Sequence, residues 1–508
     1  MNSVQPSAEA VAIKNDRIMK VGTNTEISSL IGKATEVINL QGKTVVPGLT
    51  DSHIHVGDFS KFLTWLNLND ADSIKAVQQE IKERVQKIPK GRWIIGSGWN
   101  HANFAEQRYL NFQDLDEVSQ DNPVILYHQC GRVCVVNSKA LESAGVTKAT
   151  VSPSGGTIEK DPETGETTGI LQENATDLVW TIIPEPSEEE IIESAGLACQ
   201  KIVEAGLTSI HWIFTSATEL TVIQKLQEEN RLPIRVYLIA PANILDKLDA
   251  STIDSDNEME KPLGIKVFVD GSLAARTAAL NEPYVDDQTT TGQLLYSREE
   301  LNTLVTRAHK GNLRLVIHAM GDKAISMALD AIEKALREVP RKDHRYRIEH
   351  ASVLNYDLIR RIKELGVIVS VQPKCVISEF AVWSAVERLG SKRARLLYPL
   401  KTLINAGIRI IGGSDCPMEP LSPLQGIQAA VTRQYYPEEQ ITVDEALEMY
   451  TTNPAYSSFE DSTKGSIAEG KLADLTVLSD DPRSVPSNEI GDITVDLTLV
   501  GGKIVYQK

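Results

Sequence analysis

The sequence predicts an α/β protein with a (β/α)8 TIM-like barrel and a small β-sandwich domain formed from both chain ends. Strand-like runs alternate with helical patterns through the middle of the chain, and eight such strands follow one another from the region of His53. Alternation of this kind favours a parallel sheet, and eight units favour a closed barrel. Short β-like segments at the two ends of the chain predict the second domain.

The predicted barrel strands are runs of mainly apolar residues. They are Val45–Val46 leading into His55, Val124–His128, Thr208–Trp212, Gly264–Asp270, Leu313–His318, Tyr346–His350, Val367–Gln372 and Ile408–Gly412. Helices are predicted between most of them. One begins at Ser73, where apolar residues recur at i, i+3 and i+4. Ser187 with Glu190, and Ser297 with Glu300, form capping boxes that open two more helices.

The chain ends differ in pattern from the middle. Residues 1–47 and 465–508 are predicted to form the small β domain, and residues 48–464 the barrel. The Gly501-Gly502 step between two apolar runs is a hairpin signal. A segment around residues 90–186 is too rich in Gly, Thr and Pro for simple barrel helices, so we expect an insertion that folds over the barrel mouth.

The composition favours a small-molecule substrate. The formal net charge of the 508 residues is -17, so the surface should repel nucleic acid and anionic membranes, and we expect neither as a partner. We find no signal peptide and no apolar run of the roughly 20 residues that a membrane helix needs. The five cysteines are scattered and form no C-x-x-C pair, which predicts a reduced, cytoplasmic protein. Assembly as a homo-oligomer stays open.

Residue types that bind metal ions lie at the ends of the predicted strands. Four of the nine histidines, His53, His55, His318 and His350, are at such ends, which form the active-site face of a barrel. His53 and His55 are two residues apart, so both side chains project to the same side of the strand. Asp415 follows the last strand. One strand-end histidine is more often an ordinary hydrogen-bonded residue than a ligand, but four with an aspartate predict a divalent-metal site.

Lys266 is a charged residue inside the apolar run Ile265–Val269. Period-two alternation places Lys266, Phe268 and Asp270 on one face of the strand, so the lysine should point into the barrel. An ion pair with Asp270 would make Lys266 a structural residue. Alternatively, burial near cations lowers the pKa of the amine, which can then add carbon dioxide and bridge metal ions as a carbamate.

Six segments together resemble those of one enzyme superfamily. They are Val46-Pro-Gly-Leu-Thr-Asp-Ser-His-Ile-His55, Lys266-Val-Phe-Val-Asp-Gly-Ser-Leu-Ala-Ala-Arg276, His318-Ala-Met-Gly-Asp322, Arg347-Ile-Glu-His350, Gly413-Ser-Asp-Cys-Pro417 and Gly465-Ser-Ile-Ala-Glu-Gly-Lys-Leu-Ala-Asp474. The chain resembles the amidohydrolase superfamily, and is most similar to its N-substituted formamide deformylase-like metal-dependent hydrolases. The resemblance implies a ligand set with Lys266 as a carboxylated bridge and Asp415 as proton acceptor. The set is His53, His55, Lys266, His318, His350 and Asp415.

This ligand set implies Zn²⁺ first, with Mn²⁺, Fe²⁺ or Co²⁺ as alternatives and one or two ions per chain. Because a bound ion lowers the pKa of water toward about 7, metal-bound hydroxide would attack a C–N bond in an amide, a formamide or a cyclic amide. Asp415 would pass a proton to the leaving nitrogen. Trp99, Arg276 and Asp322 are candidates for the substrate pocket. Asp322 and Glu349 are also candidates to orient ligand imidazoles.

Alternatives remain at each level. For Trp99 the structural alternative is core packing, and for Asp322 and Glu349 it is ion pairs with Lys323 and Arg347. For the whole chain, the alternatives are a single-metal aminohydrolase (deaminase), a lactone or phosphoester hydrolase, and a non-enzymatic degenerate barrel. Similar proteins have a first strand before the point that matches the start of this chain, so we expect the true N-terminus to lie upstream.

Overall fold

The computed structural model describes residues 7–247, 257 and 259–508. The strands within these residues form four sheets. The chain divides into two compact units. The first contains the chain up to Phe59 together with Ala195–Lys508, and the second contains Ser60–Ser194. No helix in the described ranges is long and apolar enough to cross a membrane.

The predicted barrel is confirmed. Eight parallel strands form one sheet in chain order, each hydrogen-bonded to the next, so the first and last strands are its edges. The strands are Leu49–Ile54 (β1), Leu207–Ile213 (β2), Arg235–Pro241 (β3), Glu260–Phe268 (β4), Leu315–Ala319 (β5), Arg347–His350 (β6), Ile368–Val371 (β7) and Ile410–Gly412 (β8). Their residues are almost all buried, as expected of a sheet covered on both faces.

The barrel closes where the chain continues past β8. The backbone N–H of Asp415 donates to the carbonyl oxygen of His53 at 2.7 Å, and the N–H of His55 donates to the carbonyl of Cys416 at 3.0 Å. These bonds join the carboxyl end of β1 to the segment after β8. Closure therefore occurs at the end of the barrel that carries the predicted metal ligands.

Helices separate most of the barrel strands. Those between β2 and the end of the barrel region are Ala217–Glu228, Arg298–Lys310, Asp322–Glu338, Tyr356–Leu365, Pro373–Ala381, Ala385–Ala394, Leu400–Asn405, Pro423–Val431, Val443–Met449 and Thr452–Ser457. The helix Glu188–Glu204 precedes β2, and Val56–Thr64 follows β1. Both predicted capping boxes are present, because Ser187 and Ser297 exchange hydrogen bonds with Glu190 and Glu300.

One predicted barrel strand was wrong, and one barrel strand was not predicted. Val124–His128 belongs to a separate six-stranded sheet in the second unit, whereas Arg235–Pro241, which sequence analysis did not assign, is the third barrel strand. A fully buried strand has no alternating pattern that indicates its sheet. The strand also begins with Arg235, a charged residue that does not suggest a buried strand in the sequence. In the structure Asp474 accepts two hydrogen bonds from Arg235, at 2.7 and 3.0 Å, and so neutralises its charge.

Segments from both ends of the chain form antiparallel sheets in the first unit. One sheet has four strands in the order Lys503–Gln507, Val495–Val500, Leu475–Leu478 and Thr44–Pro47. A two-stranded sheet pairs Ala10–Lys14 with Arg17–Gly22. The predicted Gly501-Gly502 turn connects two strands, with φ of 55° and 74° that favour glycine. Ile18, Leu475 and Leu499 share one apolar core, so the two ends of the chain pack together.

The second unit is built on a six-stranded mixed sheet. Its strands, in spatial order, are Leu66–Asn67, Ile94–Trp99, Val124–His128, Val133–Val136, Thr167–Glu173 and Gly156–Lys160. The first three are parallel and the others are antiparallel to their neighbours. The helix Ile74–Val85 begins at its predicted cap, Ser73, and buries Ile74, Val77 and Ile81. The other helices of this unit are Phe112–Asp116, Ser138–Ser143 and Asp177–Trp180.

Candidate metal centre

Three side chains from three barrel strands meet at the carboxyl end of the barrel. Among the described residues, His53, His350 and Asp415 form the one group of three whose ligand atoms all lie within 4.8 Å of one another. His53 is the penultimate residue of β1, His350 ends β6, and Asp415 follows β8. His55 lies beside this group, with Nε2 3.4 Å from Asp415 Oδ1, while His53 Nε2 lies 3.3 Å from the same oxygen.

Two of these residues have an unfavourable backbone conformation. His350 has a φ of 67° and Asp415 a φ of 60°, in the left-handed region that non-glycine residues rarely adopt. Such a conformation costs about 1–3 kcal/mol per residue and is concentrated at functional sites. At both positions it turns the chain at the point where the strand ends. The fold therefore holds two neighbouring candidate ligands in strained positions.

The imidazoles of His53 and His350 each have one nitrogen engaged by a neighbour. His53 Nδ1 donates to Glu349 Oε2 at 2.5 Å, and His350 Nδ1 donates to Gln372 Oε1 at 2.7 Å. Because a neutral imidazole carries one N–H, Nε2 of each ring keeps its lone pair. Burial lowers the pKa of both imidazoles, and Lys266 lowers it further. Both rings are therefore neutral, the form that binds metal ions.

Asp415 is an ionised carboxylate at the centre of the group. Burial raises the pKa of Asp415, and a hydrogen bond from the His55 imidazole is among the contacts that lower it below the ordinary value. A partly buried negative charge beside imidazoles is the electrostatic arrangement that a cation would complete.

Lys266 points into the barrel, as the alternation in β4 predicts. Its side chain is 2% exposed, and Nζ lies 3.3 Å from His53 Nε2. Burial lowers the pKa of Lys266 to about 8. Within the described chain no ion pair joins Lys266 to Asp270, whose carboxylate instead accepts backbone N–H groups from Ala279, Met320 and Gly321. The structural alternative of a Lys266–Asp270 pair is therefore not what the fold contains.

His318 lies next to the group of three but outside it. Its ring centroid is 4.6 Å from that of His350. Its Nε2 donates to the carbonyl oxygen of Gly271 at 3.0 Å, which leaves Nδ1 as the nitrogen with a free lone pair. Burial lowers the pKa of His318, so this ring is also neutral. His318 would bind a metal ion through Nδ1 or after rotation of the ring.

Glu349 makes both contacts that were considered for it, one with the imidazole of a candidate ligand and one with Arg347. Its carboxylate accepts the His53 Nδ1 hydrogen, and its other oxygen lies 2.6 Å from Arg347 Nε. Asp322 behaves differently, because it accepts hydrogen bonds from the backbone and side chain of Asn281, both at 2.9 Å. Asp322 is the first residue of the helix after β5, and each of its two carboxylate oxygens accepts one of these hydrogen bonds from Asn281.

Arg276 and Trp99, the other two candidate pocket residues, each have partners within their own unit. Arg276 is partly exposed and pairs with Asp286 at 2.6 Å. Trp99 belongs to the second unit, where it is fully buried in an apolar core and its indole N–H donates to the carbonyl of Leu126. Core packing therefore accounts for the position of Trp99 within that unit.

Sequence analysis missed three residues that shape the site. Gln372 binds His350, as described above, and His211 contacts Arg347. Asp51 accepts the backbone N–H groups of His53 and Ser414, both at 3.0 Å, and so fastens β1 to the segment after β8. Burial raises the pKa of Asp51 to about 6. Asp51 lies two residues before His53, so its position was the one available signal.

Comparisons with known proteins agree over nearly the whole chain. A model described as the amidohydrolase family matches residues 36–506. The chain is 30% identical to the N-substituted formamide deformylase of Arthrobacter pascens, over 99% of this chain and 95% of that protein. It is 33% identical to Protein LONG AFTER FAR-RED 3 of Arabidopsis thaliana, over 99% of this chain and 89% of that protein.

The fold is also found in a solved structure. The crystal structure of an uncharacterized metal-dependent hydrolase from Pyrococcus furiosus matches with a TM-score of 0.77 and 32% sequence identity. The match covers 93% of this chain and 95% of that chain. Both the barrel and the additional sheets therefore have a counterpart in a protein described as a metal-dependent hydrolase.

Proposed function

The chain belongs to the amidohydrolase family, and we propose that it is a metal-dependent hydrolase that cleaves a C–N bond of a small molecule. The bond would be that of an amide, a formamide or a cyclic amide. The observation that carries the proposal is the group formed by His53, His350 and Asp415, with ligand atoms within 4.8 Å of one another. The N-substituted formamide deformylase among its relatives supports the choice of bond.

The residues present fit a divalent cation. The donors are two neutral imidazoles and an ionised carboxylate, with His55, Lys266 and His318 beside them. Nitrogen and oxygen donors of this kind suit Zn²⁺ first, and also Mn²⁺, Fe²⁺ or Co²⁺, with one or two ions per chain. A cation bound there would supply an activated water and polarise the scissile carbonyl.

Asp415 is proposed to move the proton. The pKa of its carboxyl lies below the ordinary value, so the group is ionised at neutral pH and can accept a proton from an attacking water molecule. The same proton can then pass to the nitrogen that leaves, since an amine departs more readily when it is protonated. Asp415 would accordingly bind the metal ion and act as the proton acceptor.

Lys266 is proposed to act as a carbamate. A neutral Nζ adds carbon dioxide and releases one proton, and the product carries two oxygens that can bridge cations as a carboxylate does. Burial lowers the pKa of Lys266 to about 8, which makes the neutral amine accessible near pH 7–8. Its position 3.3 Å from His53 Nε2 supports a role at the centre.

A single-metal aminohydrolase is the second candidate. The compact group of His53, His350 and Asp415 is of a size to hold one ion, and the Nε2 of His318 is engaged by Gly271. In that case Lys266 would stay unmodified and the reaction would release ammonia. Measurement of the mass of the intact protein and of the number of bound ions separates the two candidates.

The protein is proposed to act on small molecules in a reducing, cytoplasmic compartment. All five cysteines are free thiols, and the net charge of -17 disfavours nucleic acid and anionic membranes as partners. Assembly as a homo-oligomer is a separate proposal, which the molar mass of the protein measured in solution would test.

The experiment is metal analysis of unchelated protein followed by a substrate screen. We expect one to two divalent ions per chain, and hydrolysis of compounds from a panel of N-formyl and N-acyl amines. The panel should include lactones, phosphoesters and amino-substituted rings, because these separate the alternative hydrolases. A chain that binds no divalent ion after incubation with zinc would contradict the proposed function.

A further inference from the structure

A chain of buried polar contacts extends behind His53 inside the barrel. It passes from His53 to Glu349, then to Arg347 and His211, and ends at Ser458. Glu349 and His211 are fully buried, and Arg347 is 2% exposed. The first four residues lie on β1, β6, β6 and β2, all within the same unit as the candidate metal centre.

Arg347 uses its guanidinium in three directions. Nε lies 2.6 Å from Glu349 Oε1, one terminal nitrogen donates to the carbonyl oxygen of Ser52 at 2.8 Å, and the other lies 2.6 Å from His211 Nδ1. Ser52 immediately precedes His53. Since β1 and β6 are not neighbours in the sheet, Arg347 bridges the interior of the barrel. It fixes both the backbone before His53 and the carboxylate that holds the His53 ring.

The protonation of His211 follows from its partner. A guanidinium only donates hydrogen bonds, so Nδ1 of His211 must accept. The N–H of His211 is then on Nε2, which lies 3.0 Å from Ser458 Oγ, and the Ser458 hydroxyl donates to the carbonyl of Pro454 at 3.0 Å. Each of the three hydrogen bonds from Arg347 to the Pro454 carbonyl therefore has a definite donor and a definite acceptor.

Burial of charge for stability alone does not account for the arrangement. Buried ion pairs are often no more stabilising than apolar side chains of the same volume, because both charges lose their hydration. Here the Glu349 carboxylate of the pair with Arg347 also accepts a hydrogen bond from His53, a candidate metal ligand. Glu349 takes the Nδ1 hydrogen of His53 and leaves the Nε2 lone pair facing Lys266 Nζ and Asp415 Oδ1, each at 3.3 Å.

We propose that His211 and Arg347 are positioning residues that set the tautomer and place of the His53 imidazole through Glu349. His211 supplies the acceptor that completes the guanidinium contacts, and without it Arg347 can turn away from Glu349. The proposal rests on the proposed function, since it requires that His53 binds a metal ion. Neither His211 nor Arg347 would touch the ion or the substrate.

The test measures zinc affinity of the metal-free protein in competition with a chromophoric chelator. His211→Leu removes the acceptor, and we expect zinc affinity to fall by up to about 10-fold, the lower end of the range for loss of a direct partner of a ligand histidine, because His211 acts through Arg347 and Glu349. His211→Asn places an amide oxygen near the position of Nδ1, so it should restore most of the affinity. His211→Gln keeps a polar side chain but places its amide nearer the position of Nε2. Its zinc affinity should therefore resemble that of His211→Leu.

The matched control is Arg235→Met, which breaks another buried arginine–carboxylate pair, with Asp474. It should lower the melting temperature and leave zinc affinity unchanged. Wild-type affinity in folded His211→Leu or His211→Gln would overturn this inference alone, as would equal losses in His211→Asn and His211→Leu. A wild-type protein that binds no zinc would overturn the proposed function and, with it, this inference. If His211→Leu does not fold, His211→Gln and His211→Asn decide the outcome.

Discussion

The barrel sheet and the six-stranded sheet of residues 60–194 both contain parallel strands that end on an imidazole. In the barrel, β1 contains His53 and β6 ends at His350; in the other sheet, Val124–His128 ends at His128. The two kinds of strand are similarly buried, and sequence analysis placed them in one barrel. Within the described ranges, the one group of three candidate metal ligands occurs in the barrel.

The difference lies in the neighbours that each sheet supplies. All eight barrel strands are parallel, so their carboxyl ends face one way and closure brings them round one axis. In the six-stranded sheet only the first three strands are parallel and the strand after His128 is antiparallel, so the carboxyl ends of three strands rather than eight lie on the side of His128. His128 uses both ring nitrogens, one for the N–H of Cys130 and one for His101. A strand-end histidine becomes a candidate ligand only where the sheet brings at least two further donors to it.

The largest effect is expected for His53→Ala, which removes a donor from the barrel group. Loss of a residue that only hydrogen-bonds a ligand costs roughly 10–100-fold in metal affinity, so loss of the ligand itself should exceed about 100-fold. Activity should disappear while circular dichroism stays native, because His53 serves the site rather than the core. Retention of metal, or unfolding without specific metal loss, would mean that the histidine is structural.

The second effect concerns Lys266→Met, which keeps the volume of the side chain and removes its nitrogen. We expect loss of activity and of at least one bound ion, because the bridge between cations would be absent. Short carboxylates added to the variant should restore part of both. An unmodified wild-type Lys266 with one bound ion would favour the single-metal aminohydrolase.

A third, smaller effect contrasts two carboxylates that follow barrel strands. The pKa of Asp415 is lowered, whereas burial raises the pKa of Glu379 from 4.5 to about 7, against a lowering by Arg388. Between about pH 4.5 and 7 the unfolded chain loses this proton while the folded protein keeps it, so stability falls as pH rises through that window. Glu379→Gln should increase the free energy of unfolding at pH 8 by about 1–3 kcal/mol.

The same variant should change little at pH 5, where Glu379 is protonated in the folded protein. Thermal unfolding at the two pH values measures the difference, and an equal effect at both would show that the carboxyl does not titrate as described. Glu379 is 2% exposed and one of its oxygens has no hydrogen-bond partner, which explains the cost of its ionised form.

The smallest effect is expected for His128→Asn in the six-stranded sheet. Zinc affinity should change by far less than the roughly 10-fold loss that follows removal of a residue hydrogen-bonded to a ligand. The same titration as for His53→Ala measures it. A loss comparable to that of His53→Ala would remove the distinction between the two sheets.

Local features of the site and the fold could be predicted from sequence. The spacing of His53 and His55, the lysine within an apolar strand, and the two capping boxes are encoded within a few residues, so periodicity and side-chain chemistry predict them. The identity of the third barrel strand could not be predicted, because the partner of Arg235 is Asp474, far along the chain. Val124–His128 was misplaced because apolar composition does not indicate which sheet a strand joins.

By itself the sequence determined the parallel barrel, its family resemblance and the residue types at its carboxyl end, because these depend on patterns within single strands and motifs. Only the tertiary structure decided which nitrogen each imidazole presents. Glu349 and Gln372 fix His53 and His350, while Gly271 engages the Nε2 of His318. Likewise, Arg347 reaches Ser52 and His211 only after closure of the sheet. Contacts across the barrel depend on strand register and closure, and no local spacing specifies those distances.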